Sequence, residues 1–214
     1  MFRGNKIYKV DKNGNKRRVF GIKGVKIRFK GRNSTILIHE PIAKFRKCIF
    51  VCSDNCFIEI HDSRYKLKNL YILAHADNSR CEIGRDFSCT NGCKILLHKE
   101  PSLSVTIGDD CMFGTDVVLR TTDAHTIYSA TTQKVSNFGK SISIGNHCWL
   151  AMDVTVSKGV EIADNSIVGT KSLVTKNCET PNAVYVGAPA KLVKTDVNWD
   201  RKTPCEFDKN LLKI

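Results

Sequence analysis

No run of this chain approaches the ~18 consecutive apolar residues a membrane-spanning helix needs, so the sequence offers no spanning segment. The opening residues, Met1 to Lys6, carry charge with no apolar core behind it, and no signal peptide is expected. Acid is scarce at one end. Residues 1–50 hold only Asp11 and Glu40 against fifteen Lys or Arg, while the remainder carries nineteen of each sign. The whole net charge of +13 therefore lies in the first fifty residues. Such a field favours an acidic polymer or an anionic surface and leaves room for a peripheral membrane contact. Zinc-finger spacings and other nucleic-acid reading motifs are absent, and no nucleic-acid partner is expected. Histidines are sparse: His61, His75 and His98 are scattered, and the nearest to His125 on its C-terminal side is His147. Cys48, Cys52 and Cys56 lack a fourth ligand at a recognisable spacing, so no metal is expected.

What is present is a period of six. Ile144, Leu150, Val156, Ile162, Val168 and Val174 recur at six-residue intervals. Four residues after each of the first five stand Cys148, Val154, Val160, Ser166 and Ser172. Upstream, Ile107, Phe113 and Leu119 keep the spacing, with Val105, Cys111 and Val117 two residues before them. A period of six suits neither a helix nor a flat strand. It suits a coil that turns a corner every sixth residue and buries its core between stacked turns. Gly108, Gly114, Gly145 and Gly169 follow guide residues where the backbone bends, and Asp109, Asp110, Asn146, Asp153, Asp164 and Asn165 are turn formers. Many of the ten cysteines replace small inward residues in this pattern, which points to a reducing, cytoplasmic setting rather than a disulfide framework.

Organisation follows from the pattern. Residues 1–32 read as a basic N-terminal segment, 33–178 as the coil, and 179–214 as a C-terminal cap. Short strand-like pieces over 33–79 read as irregular early coils with larger side chains and longer sides. Residues 120–141 hold no hexad and read as a loop protruding from a corner. Past Lys176, Pro181, Gly187 and Pro189 end the coil, a short helix is expected from Ala190 to Val197, and Trp199, Phe207, Leu211 and Leu212 are expected to pack back.

Residues of about 80–192 resemble the left-handed β-helix hexapeptide acyltransferases. The repeat carries the resemblance together with Thr122-Asp123-Ala124-His125, Ile144-Gly145-Asn146-His147-Cys148-Trp149, Val168-Gly169-Thr170-Lys171-Ser172-Leu173-Val174-Thr175-Lys176 and Val186-Gly187-Ala188-Pro189-Ala190-Lys191. These pieces are similar to the sugar and polysaccharide O-acetyltransferase branch, nearest to enzymes that acetylate sialic-acid-containing polymers. The left hand, a trimeric assembly and acetyl-CoA as co-substrate are what this resemblance implies. Carbonic anhydrases of the fold use close histidine pairs, which are missing around His125, and nucleotidyltransferases would need a further domain.

The resemblance puts His125 at the general base, taking the proton of a sugar hydroxyl as it attacks acetyl-CoA directly, chemistry that suits an imidazole at neutral pH. Asp123 is a candidate to orient it, with a backbone carbonyl as the alternative, and His147 is the second candidate base. Trp149 is too large for a narrow interior and should face outward, where indole suits a sugar ring or a pantetheine arm. Ala151, Gly169, Thr170, Lys171, Thr175, Lys176 and Lys191 are the implied coenzyme contacts. Ala151 and Thr170-Lys171 depart from the family's glycine and Ala-Gly. Lys16, Arg17, Arg18, Lys26 and Arg28 are the candidate acceptor stripe, a solvated face being the plainer alternative. Two competing functions remain at this level: an N-acetyltransferase of a nucleotide-linked amino sugar, and a non-enzymatic polyanion-binding β-helix.

Overall fold

The computed structural model describes residues 4–208. Leu211 and Leu212, expected to pack back, lie outside the described residues. The chain winds as a parallel β-helix with three faces, built as two eight-stranded sheets and one seven-stranded sheet. Each coil visits the first face, then the second, then the third; Thr35–His39, Ile42–Arg46 and Cys48–Cys52 make one such coil. Among the paired strands only Lys16–Val19 and Ala190–Lys194 run antiparallel to a neighbour, one at each end of the solenoid.

The hexads map onto the faces one by one. Ile144 stacks on Ile162 in the first face, Leu150 on Val168 in the second, and Val156 on Val174 in the third. Six residues advance the chain by one face, so the guide residue always returns to the inside. All six are at most 3% exposed, as are Cys148, Val154, Val160, Ser166 and Ser172. Full burial of one such aliphatic side chain is worth roughly 1.5–3 kcal/mol. The same columns run unbroken into the longer early coils: Ile38, Ile60, Ile83 and Ile107 precede Ile144, and Phe50, Ile72, Ile95 and Leu119 precede Val156. Larger inward residues do sit there, Phe50 and Phe87 among them.

Within the segment set apart by its charge, Lys6–Val10 pairs in parallel with Thr35–His39, and Val25–Phe29 with Cys48–Cys52. The basic residues thus decorate the first turn of the same coil.

Corner chemistry separates two demands. The left-handed backbone positions fall to Asp110, Asp153, Asn165, His147 and Lys171, with φ between 51° and 59°. Glycine serves close approach instead. A Cβ on Gly145 would sit 2.3 Å from Asp164 Oδ1, and one on Gly84 2.4 Å from Asp109 Oδ1. The space is taken by a side-chain ladder between coils. The Arg85 N–H donates to Asp109 Oδ1 (2.7 Å), Asp109 N–H to Asn146 Oδ1 (2.9 Å) and Asn146 N–H to Asp164 Oδ1 (2.7 Å). Corner amides find acceptors in this way.

The helix expected from Ala190 is a strand. Ala190–Lys194 folds back on Val184–Gly187 after a turn at Gly187, whose φ is 104°. An antiparallel return covers the exposed edge of the second face, which a helix would leave open. The only helix among the described residues is Pro204–Phe207, capped by Thr203, and no helix is long and apolar enough to cross a membrane. Trp199 is 8% exposed against the second face, whereas Phe207, expected to pack with it, stays 68% exposed.

Candidate active site

The chain leaves the third face after Val118–Arg120 and returns to the first at Ile142–Ile144. Between them an arm projects from the corner. It is a small hairpin: Tyr128 bridges Val135, and Ser129 N–H donates to Lys134 O at 2.9 Å. Ile127, Tyr128 and Phe138 are more than half exposed on it.

The base of the arm is pinned. Gly139 N–H donates to Glu100 Oε2 at 2.7 Å, and Lys158, from the next coil, donates to Asn137 O at 2.6 Å and to the Asp123 carboxylate. Asn137 Nδ2 in turn donates to Asp123 Oδ2 (3.0 Å) and to the His125 carbonyl (2.8 Å). His125 is thereby fixed through its backbone. Its imidazole is exposed and makes no hydrogen bond within the chain among the described residues. Asp123 is committed to Lys158 and Asn137, which hold its carboxyl below the usual carboxylate range, Lys158 contributing most. No hydrogen bond joins it to the imidazole. Lys158 and Asn137 were not legible as site residues; Lys158 shares a corner with the arm only because coils stack.

Trp149 lies half-buried on the second face, outward as its size demands. Behind it stands the C-terminal strap. Trp149 and Trp199 have ring centroids 6.0 Å apart, and a cavity of about 680 Å³ beside them is lined by His147, Trp149, Ile167, Trp199, Lys202 and Phe207. His147 is unsuited to be the base. Its Nδ1 lies 2.7 Å from Asp110 Oδ2 and its Nε2 3.1 Å from Trp199 O, so both nitrogens are engaged. Arg201 extends the clamp, bonding Asp110 Oδ1 (3.1 Å) and lying 4.1 Å over the Tyr65 ring.

The implied coenzyme residues fall on two corners and the closing hairpin. Ala151 and Gly169 stand in one column between the second and third faces, joined to Gly114 by the register of the second face. Thr170 and Lys171 continue that turn, both exposed; Lys171 takes a left-handed φ of 59° where the family's glycine would be unstrained. Thr175 and Lys176 are exposed on the next corner, the one that carries the arm. Lys191 is exposed on the closing hairpin, opposite Val186.

The acceptor stripe divides. Lys16, Arg17 and Arg18 are exposed at the edge of the first face. Lys26 and Arg28 are exposed at the edge of the third face, which also carries the root of the arm. There Arg28, Val51, Leu73, Leu96 and Arg120 stand in one register column ending at the arm, with Val51 buried within it.

A three-faced coil with a six-residue repeat, and an arm holding a free histidine at one corner, defines the hexapeptide-repeat acyltransferase class, whose coil is left-handed. No family model matches the chain. The polysialic acid O-acetyltransferase of Neisseria meningitidis is 33% identical over 160 residues, covering 70% of this chain and 74% of that protein. The chain belongs to this family of hexapeptide-repeat, sialic-acid-polymer O-acetyltransferases. The polysialic acid O-acetyltransferase of Escherichia coli O1:K1 / APEC is 30% identical over 148 residues, and the match spans only 47% of that relative's length. The crystal structure of the polySia specific acetyltransferase NeuO superposes with a TM-score of 0.82 at 27% identity, covering 98% of this chain and 92% of that one.

Proposed function

We propose that this chain moves an acetyl group from acetyl-CoA to a hydroxyl of a sialic-acid polymer of a surface or capsular polysaccharide, with His125 as general base. The observation that carries the reading is the His125 imidazole, exposed and unbonded on a backbone that Asn137, Lys158 and Glu100 hold in place. A base needs this combination: a fixed position and a free nitrogen lone pair. The names of the relatives support acetyl transfer to polysialic acid.

The steps balance without a covalent enzyme intermediate. His125 accepts the hydroxyl proton while the sugar oxygen attacks the thioester carbonyl. The tetrahedral intermediate collapses, the C–S bond breaks, and the imidazolium returns the proton to the departing coenzyme A thiolate. Asp123, occupied by Lys158, acts on arm geometry. Trp149 offers an indole face to the acceptor or the pantetheine arm.

The coenzyme would lie along the corner column of Ala151 and Gly169, with Lys171, Thr175, Lys176 and Lys191 suited to its phosphates. Ala151, Gly169 and Lys171 sit at a different edge of the prism from the arm, which supports a homotrimer whose neighbours complete each site. The exposed Ile127, Tyr128 and Phe138 on the arm fit a subunit contact of that kind. Among the described residues all ten cysteines are free thiols, which supports a cytoplasmic setting. Coenzyme A release measured against polysialic acid, a neutral oligosaccharide and a nucleotide-linked amino sugar tests the reading. Release with polysialic acid alone supports it, and release only with the amino sugar replaces it with N-acetylation.

A further inference from the structure

Sequence spacing scatters the histidines; the coil gathers two of them. His39 closes the strand Thr35–His39, and His61 follows Phe57–Ile60 one coil later. Ile38 pairs with Ile60, so the two histidines stand one above the other at the corner between the first and second faces. Their rings stack with centroids 4.1 Å apart and 18° between planes. Glu59 reaches the same point from the first face. Its Oε1 lies 2.7 Å from His39 Nε2 and 3.9 Å from His61 Nε2. All three donor atoms fall within 4.8 Å of one another.

We propose that His39, Glu59 and His61 bind a divalent transition metal, with Zn²⁺ the best match. Two imidazoles and one carboxylate form a three-ligand set of the kind zinc takes, leaving one position for water. Nitrogen donors select against Mg²⁺ and Ca²⁺. Bonds of about 2.0–2.2 Å to a tetrahedral ion require donors roughly 3.3 Å apart. The observed 2.7 and 3.9 Å bracket that spacing, so modest rotations of the two rings bring the lone pairs together.

Protons alone leave the cluster incomplete. Glu59 satisfies His39, while His61 Nε2 stands 3.9 Å from the same Glu59 oxygen, beyond hydrogen-bond reach. A cavity of about 410 Å³ opens onto the pair, with Asp11, Asp62 and Arg85 in its walls. Arg85 opposes a cation and is itself drawn to Asp62, at 3.6 Å. Nothing here belongs to the arm. The cluster ties two early coils together, so the metal would act as a staple, stabilising the folded chain by mass action.

The test uses the full-length protein stripped by a chelator. Zn²⁺ is titrated calorimetrically, and Co²⁺ is followed by its visible absorption. The proposal predicts saturable binding of about one ion per chain, a rise in melting temperature with Zn²⁺, and a visible Co²⁺ spectrum of nitrogen-ligated type. His61→Ala and His39→Ala should abolish these, and Glu59→Gln should weaken binding at least tenfold. Melting of each variant without metal confirms that it folds; if an alanine variant does not, His61→Gln takes its place. No saturable binding by the native chain overturns the proposal. So does unchanged binding in the folded His61 variants, which would move the ion elsewhere, Cys205 included.

Discussion

The Trp199 indole lies almost flat on the His147 imidazole, with centroids 4.3 Å apart and 11° between planes. The contact is reciprocal: Trp199 Nε1 donates to His147 O at 2.8 Å, while His147 Nε2 faces Trp199 O. Asp110 completes it by holding both His147 and Arg201. The strap is thus fixed to the coil face that carries Trp149.

Asp110→Ala should release that strap. It leaves His147 and Arg201 without their shared acceptor, at a cost of about 1–3 kcal/mol for the partners left unsatisfied. Trp149 and Trp199 are the chain's two tryptophans, so intrinsic fluorescence reads this cluster directly. A red-shifted emission and a lower melting temperature are expected. Native emission in the variant would show that stacking alone holds the strap.

The repeat made the later coils legible because an inward residue there has no alternative. A polar group at Val156 or Val168 would be buried in a column with no partner, so the sequence advertises the period. The early coils hide the same columns behind longer sides, where Ile38 and Ile60 are separated by corners of varying length. The role of glycine was only half visible. Tight bends suggested backbone freedom, whereas Gly84 and Gly145 make room for Asp109 and Asp164 of the next coil. The His39–His61 pair and the Lys158 anchor depend on which residues stack, and a sequence without strict hexads does not reveal that.

The Asp123 anchor predicts a pH dependence with a definite sign. Lys158 and Asn137 lower its folded-state pKa. A lowered pKa adds stability above the unfolded value of about 3.9, and this is lost as pH falls through the folded value. The arm should stay docked through mild acid and loosen only below the ordinary carboxylate range. An NMR titration of the Asp123 carboxyl carbon should show a midpoint below about 3.9, moving upward in Lys158→Ala. A native midpoint at or above the ordinary value would dissolve the anchor.

Thiol chemistry should be confined to one position. Cys205 is exposed and the other nine cysteines are buried. Burial also pushes Cys178 up to about 12 and raises Cys48 and Cys56, so thiolate is scarce there. An aromatic disulfide reagent should titrate one fast thiol per native chain and the rest only after denaturation. Several fast thiols would mean that the coils open readily.

The basic residues should not contribute equally to acceptor affinity. Lys26 and Arg28 share a face with the root of the arm; Lys16, Arg17 and Arg18 lie on another. With strands about 4.8 Å apart, the four steps from Val25–Phe29 to Val118–Arg120 span roughly 19 Å. Lys26→Gln with Arg28→Gln should raise KM for long polysialic acid more than the triple change on the first face, with kcat little altered. The effect should fade as salt shortens the Debye length below about 10 Å. Equal effects on a monosaccharide acceptor would reduce the stripe to solvated surface.

His125→Ala turnover against polysialic acid is the measurement closest to the centre of the account. Acetyl transfer should fall by about 10²–10⁴-fold, the usual weight of a general base. Acetyl-CoA binding and the melting temperature should stay near native, because the imidazole makes no hydrogen bond among the described residues. A variant that binds coenzyme but barely transfers acetyl is the predicted result. Turnover within a few fold of the native enzyme would contradict it and remove His125 from the chemistry.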